Sequence, residues 1–161
     1  MSTLVTGATG YIGHRLALAL ADREWPVRIL CRSKPDDQLA SRKTVTIYRG
    51  DITNRKEVDH AMEGVRQVYH LAAYARLWSE DPGKFFEVNV GGAVNVMESA
   101  MQHGIDKMVF TSTGGVFGPS EGEPIGEDHV RKHPFFNRYE ESKFIAEKKI
   151  KDYVLKGLDA V

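Results

Sequence analysis

Tyr139-Glu140-Glu141-Ser142-Lys143 sets a phenol and an ammonium four residues apart, so one face of a helix carries both. A phenol titrating near pH 10 is a poor acid or base at neutral pH, and a neighbouring ammonium stabilises its phenolate and brings that value down. Hydride transfer suits such a pair: when a carbonyl accepts hydride, the forming alkoxide takes its proton from a positioned donor. Taken alone, the spacing is common and equally describes an exposed pair on a helix. Context comes from Val109-Phe110-Thr111-Ser112-Thr113, a strand-like run that ends in Gly114-Gly115. Thr113 stands at the carboxyl end, where ligands of parallel sheets bind, and is placed to hydrogen-bond a substrate oxygen; Ser112 takes that role if the register is shifted by one.

A second group of residues reads as an anion cradle. In Thr6-Gly7-Ala8-Thr9-Gly10-Tyr11-Ile12-Gly13 the glycines recur every third residue between a first strand and a first helix. Gly7 allows a sharp turn, Gly10 a close approach of backbone to a pyrophosphate, and Gly13 close packing of helix on sheet. The helix start then offers free N–H groups and its positive dipole end. Where the second strand ends, an NAD-preferring domain presents an acid to the ribose 2′-hydroxyl, but here Arg32 stands in Cys31-Arg32-Ser33-Lys34. A guanidinium holds a 2′-phosphate bidentately and Lys34 adds charge, which favours NADP over NAD. The other readings are that Arg32 is an ordinary surface charge and that Asp36 or Asp37 meets a ribose.

These groups need a scaffold, and the hydrophobic period supplies one. Leu4-Val5, Val27 to Cys31, Val45 to Tyr48, Gln67 to Ala72 and Met108 to Thr111 read as strands. Tyr11 to Ala21, Asn54 to Met62, Lys84 to His103 and Tyr139 to Leu155 read as helices. Strands alternating with helices pair in parallel, because each must cross back over the sheet. The expected fold is α/β, a doubly wound parallel sheet of Rossmann type. Thr113 to Arg138, rich in glycine and proline and without period, reads as a long functional loop.

With 161 residues, one domain is expected. Basic and acidic residues number 22 each, so no summed field holds a nucleic acid or an anionic membrane. The single cysteine, Cys31, lies in an apolar strand and fits a reducing compartment, and no signal or spanning segment stands out, so a soluble cytoplasmic protein with a small-molecule substrate is expected. No metal is expected: His129 and His133 are four apart, without further ligands at suitable spacing.

The chain resembles the extended short-chain dehydrogenase/reductase family, also called the NAD-dependent epimerase/dehydratase family, over essentially its whole length. The resemblance rests on the glycine turn, Gly50-Asp51-Ile52, His70-Leu71-Ala72-Ala73, Asn89-Val90, Thr111-Ser112-Thr113, and Tyr139 with Lys143, in the family's order. It implies that Asp51 and Ile52 lie beside the adenine and that Leu71, Ala72 and Ala73 run along the cofactor. Asn89 would brace the pocket near the nicotinamide, and Lys143 would also hold the nicotinamide ribose. The cofactor set so implied is Gly7, Thr9, Gly10, Tyr11, Ile12, Gly13, Arg32, Asp51, Ile52, Leu71, Ala72, Ala73, Asn89, Thr111, Tyr139 and Lys143. The catalytic set is Thr113, Tyr139 and Lys143.

Within the family the chain is most similar to the dihydroflavonol-reductase-like branch, on Arg32 and on the segment Tyr74 to Pro82. Sugar-nucleotide dehydratases tend to follow the threonine with an acidic pair, and Gly114-Gly115 disfavours that chemistry. An NADP-dependent reductase of a small-molecule carbonyl is expected; an NAD-dependent nucleotide-sugar epimerase and a non-catalytic dinucleotide-binding module are the alternatives. Family members continue past the catalytic helix into another strand and a substrate lobe, while this chain stops at Val161. Residues 1–161 are therefore expected to be the NAD(P)-binding domain of a longer enzyme, with Gly157 to Val161 opening that strand. Tyr74, Arg76 and Trp78, like Phe135 and Phe136, read either as substrate contacts or as packing. The helix from Lys84 reads as a homodimer face, as in family dimers, or as ordinary packing on the sheet.

Overall fold

Leu4 and Val5 are sequence neighbours, both fully buried, yet they belong to different apolar clusters. Successive side chains of a strand face opposite ways, so a strand apolar at both positions must be covered on both faces. The computed structural model, which describes residues 2–120 and 122–161, shows that arrangement. Strands β1 (Ser2–Thr6), β2 (Val27–Cys31), β3 (Val45–Arg49), β4 (Val65–His70) and β5 (Lys107–Phe110) form one sheet in the order β3-β2-β1-β4-β5. All four pairings are parallel.

Helices α1 (Tyr11–Ala21) and α2 (Asp37–Ala40) cover one face, where Ala17, Leu20 and Leu39 meet Val5, Ile29 and Cys31. On the other face lie α3 (Arg55–Met62), α5 (Ala93–His103) and α6 (Arg138–Leu155); their Val58, Met62, Val96, Met97, Ala146 and Ile150 pack on Leu4, Leu30 and Val68. The chain runs outward from β1 to β3 and then restarts on the other side of β1 with β4. That reversal leaves a crevice at the carboxyl ends of β1 and β4, the place where doubly wound sheets bind ligands.

Three local features differ from the expected ones. β4 spans Val65–His70 and not Gln67 to Ala72, because its pairing partner β1 begins at Ser2 opposite Val65 and ends at Thr6 opposite His70. Leu71 and Ala72 are thereby released to run across the crevice. The helix from Lys84 begins as α4 (Gly83–Phe86) and continues without a break through a π turn, Glu87–Gly92, into α5. Such turns concentrate at functional sites, and this one carries Asn89. Finally, α2 is a single turn, too short to show a period, that Asp36 nucleates by accepting the Leu39 N–H at 3.0 Å. Beside β5, Ala160 pairs in parallel with Met108, and Phe110 N–H donates to the Val161 carbonyl at 2.8 Å, as the expected opening of a further strand requires.

Candidate active and cofactor site

At the crevice the chain folds around a groove of about 260 Å³. Gly7, Thr9 and Gly10 form one wall, Arg32 closes the end of β2, Asp51 and Ile52 follow β3, and Leu71, Ala72 and Ala73 follow β4. These nine expected cofactor residues are brought together. Leu30, Cys31, Gly50 and Val88 also line the groove, and no polar signature marked them in the sequence.

The glycines earn their places by close approach. Gly7 has φ +76°, and a Cβ there would lie 2.6 Å from the Ala72 nitrogen, so the turn rests directly on the backbone leaving β4. A Cβ at Gly13 would overlap the Gly7 carbonyl, so at this position α1 packs on the turn itself, while its Ala17 and Leu20 rest on the sheet as expected. Gly10 starts α1 without a side-chain cap, so the first-turn amides of Tyr11, Ile12 and Gly13 are available to an anion. The side chains of Tyr11 and Ile12 are exposed and do not line the groove, leaving their backbone as what they offer. This cradle fits a dinucleotide pyrophosphate.

Arg32 lies on the rim with its guanidinium 3.7 Å from the Asp51 carboxylate. The alternative ribose acids are engaged elsewhere. Asp36 caps α2 and pairs with His14 at 2.7 Å, while Asp37 pairs with Lys34 at 3.3 Å. Lys34, expected to add charge at the rim, is not among the residues that line the groove.

Beyond the groove, β5 and α6 bring the chemical residues together. The Thr113 hydroxyl acts on the Tyr139 phenol and pulls its value down, whereas Ser112 donates to Glu147 at 2.7 Å, so of the two candidates it is Thr113 that addresses the phenol. Lys143 is buried, donates to the Thr111 carbonyl at 2.7 Å and lies 4.3 Å from the centre of the Phe110 ring. Burial brings its ammonium down to about 8, against the opposing pull of Glu147. Burial holds the Tyr139 phenol above its ordinary value and the Thr113 hydroxyl pulls it back. The phenol is thus raised and not lowered as expected from Lys143, and the group that opposes its burial is the Thr113 hydroxyl.

Asn89, from the π turn, ties this group to the groove. Its Oδ1 accepts the Tyr74 N–H at 2.6 Å and its Nδ2 donates to Ser142 at 2.8 Å; Ser142 in turn donates to the Tyr139 carbonyl at 2.8 Å. Asn89 therefore braces the site through buried hydrogen bonds and does not line the groove. Thr111 likewise contributes its carbonyl, to Lys143.

One residue at the crevice carried no expected role. His70 is buried, and its Nδ1 lies 2.7 Å from the Thr6 hydroxyl, which also accepts the Ala72 N–H at 3.3 Å. Burial, with the Lys143 charge, holds the imidazole down at about 3, so it is neutral at physiological pH. The bond between this neutral ring and Thr6 locks the ends of β1 and β4 together beneath the groove.

The comparisons with known proteins agree with this layout. The sequence matches the profile of the NAD dependent epimerase/dehydratase family over residues 3–161. The chain belongs to this family. It is 34% identical over 161 residues to sterol demethylase protein B of Methylococcus capsulatus, covering 99% of this chain and 49% of that protein. It is 36% identical over 149 residues to the 2-alkyl-3-oxoalkanoate reductase of Shewanella oneidensis, covering 92% of this chain and 38% of that protein. The UDP-glucose 4-epimerase of Thermus thermophilus, solved in complex with NAD, superposes with a TM-score of 0.87 at 32% identity, over 99% of this chain and 53% of that one.

Reductases and epimerases thus both stand among the relatives of this epimerase/dehydratase-family domain, and it spans about half the length of the relatives it matches. Among the described residues no helix is long and apolar enough to cross a membrane, and no three His, Cys, Asp or Glu side chains gather into a metal site.

Proposed function

We propose that this chain is the dinucleotide-binding and proton-donating part of an NADP-dependent reductase acting on a carbonyl of a small molecule, of the dihydroflavonol-reductase-like branch. The observation that carries the proposal is the Thr113 hydroxyl acting on the Tyr139 phenol at the carboxyl end of β5, where the buried ammonium of Lys143 donates to the Thr111 carbonyl. A nicotinamide dinucleotide, when bound, supplies the hydride. Tyr139 holds the proton that the substrate oxygen takes as charge builds on it, a role that contributes roughly 10²–10⁴-fold in rate. Thr113 donates a hydrogen bond to the same oxygen and fixes its position. Lys143 places positive charge at the carboxyl end of β5, and its burial keeps water from screening that charge.

The cofactor cradle is formed by Gly7, Gly10 and Gly13 with the first amides of α1, and Ala72 and Ala73 follow along the groove. Arg32 is proposed to take the 2′-phosphate of NADP, exchanging its contact with Asp51 for a bidentate one. Buried Cys31, its thiol pushed up by burial, suits a reducing cytosol. A second reading, an NAD-dependent nucleotide-sugar epimerase, draws on the NAD bound to the Thermus relative and on Asp51, which lies within reach of the same rim.

Calorimetric titration of the chain and of its Tyr139→Phe variant, each with NADP and with NAD, separates these readings. NADP binding tighter than NAD in both proteins, with turnover by the longer protein lost on Tyr139→Phe, is the expected result. Tighter NAD favours the epimerase, and loss of cofactor binding on Tyr139→Phe removes Tyr139 from the role of proton donor.

A further inference from the structure

Arg131 ties the loop between Thr113 and α6 to both of its ends. Arg131 exposes only 6% of its side chain, and every arm of its guanidinium is used. Nε donates to the His133 carbonyl at 2.8 Å and Nη1 to the Gly115 carbonyl at 2.5 Å. Nη2 donates to the Pro134 carbonyl at 2.6 Å and to the Glu140 carboxylate at 2.9 Å, and the guanidinium carbon sits 4.4 Å from the centre of the Phe135 ring. The Glu140 Oε2 that meets Arg131 also accepts the Phe136 N–H at 3.0 Å.

The two ends of this network matter most. Gly115 lies two residues after Thr113, and its N–H donates to the Thr113 hydroxyl oxygen at 3.3 Å. Glu140 directly follows Tyr139. We propose that Arg131 is a positioning residue of the Thr113–Tyr139 pair, a buried guanidinium that clamps the strand end carrying one hydroxyl to the helix start carrying the other. The inference rests on the reading of those two hydroxyls as the reacting pair.

Geometry explains why this residue is an arginine and why its neighbour is a glycine. A planar fork satisfies several acceptors at fixed angles, while an ammonium is a point donor on a flexible stem and cannot span the same set. A Cβ at position 115 would come within 3.0 Å of Glu140 Cγ, so Gly115 leaves the space that the clamp needs. Unpaired, the largely buried carboxylate of Glu140 would seek solvent and take the first turn of α6 with it.

The test uses tyrosine labelled with 13C at Cζ, with the Tyr139 resonance assigned by its disappearance in Tyr139→Phe. Its titration is followed in wild type, Arg131→Met and Arg131→Lys. In Arg131→Met the Tyr139 titration is expected to move upward, because the Thr113 hydroxyl no longer stabilises the phenolate, while calorimetric NADP affinity stays unchanged. Arg131→Lys is expected not to restore the wild-type titration. A folded Arg131→Met whose Tyr139 titrates as in wild type overturns the proposal, even if its melting temperature falls, and so does rescue by lysine. Should Arg131→Met fail to fold, Glu140→Gln keeps the shape and one acceptor while removing the charge. It is expected to move the Tyr139 titration in the same direction, and a folded Glu140→Gln without that movement sinks the clamp. No turnover is needed for this readout. A shifted Tyr139 in a protein that reduces no carbonyl removes the reductase reading alone, and an unshifted Tyr139 in an active reductase removes the clamp alone.

Discussion

His70 makes the domain sensitive to mild acid, and the size of the effect follows from its burial. Its imidazole is held at about 3 in the folded chain and returns to an ordinary 6.5 on unfolding. A base whose value is depressed by folding stabilises the fold fully above pH 6.5, and that contribution is lost progressively as pH falls toward 3. Evaluated at pH 4.5, the loss relative to neutral pH is about 3 kcal/mol. For a domain of this size that corresponds to a fall in melting temperature of roughly 6–12 °C beyond the general acid effect. The carboxylates held below their ordinary 3.8, Asp36 and Asp59, respond only at lower pH, so the interval from 7 to 4.5 isolates the imidazole. The assay is urea unfolding of wild type and His70→Asn at both pH values. The asparagine amide can stand where Nδ1 meets the Thr6 hydroxyl but takes up no proton. Wild type is expected to lose about 3 kcal/mol more than the variant between the two conditions. Parallel losses would show that the buried ring is not the acid-sensitive element and that its bond with Thr6 tolerates protonation.

Gly7→Ala sets a Cβ against the backbone of Ala72 at φ +76°, where neither side can yield. A loss of about 1–3 kcal/mol in urea unfolding and at least a tenfold weaker dinucleotide affinity by calorimetry are expected. Lys143→Met separates stability from chemistry. The folded value of about 8 lies below the ordinary 10.5, so burial of the ammonium costs about 3 kcal/mol below pH 8, a penalty that fades between 8 and 10.5. Removing it, less the bond to Thr111, should raise stability at pH 7 by roughly 1–2 kcal/mol while the proposed carbonyl reduction is lost. A destabilised Lys143→Met would mean that the ammonium is held more favourably than its burial implies. For Arg32→Ser, calorimetry should show NADP affinity falling about tenfold or more with NAD unchanged; an equal loss of both would make Arg32 a general phosphate contact.

Much of this site was legible before any coordinates. The glycine turn, the Tyr139–Lys143 spacing and the five apolar runs carry local signals, because a tight turn demands glycine and a helix face demands a fixed interval. Residues Leu71 to Ala73 line the groove, and the strand before them ends two residues earlier than its apolar run. Arg131 and Glu140 were invisible for a different reason. A loop has no period, and a guanidinium that meets backbone carbonyls leaves no complementary residue type in the sequence to point at it.

What the sequence by itself determined is the order of elements and the kinds of chemistry on offer: strands buried on both faces, an anion cradle, a phenol and an ammonium one helical turn apart. Only the tertiary structure decided which groups meet. It turned Ser112 to Glu147 and Thr113 to Tyr139, sent Lys143 to the Thr111 carbonyl, and set α1 on the Gly7 turn. The physical reason is that spacing along the chain places a side chain on a face, whereas its partner is chosen by the element packed against that face, here β5 against α6 and the exit of β4 against the turn after β1.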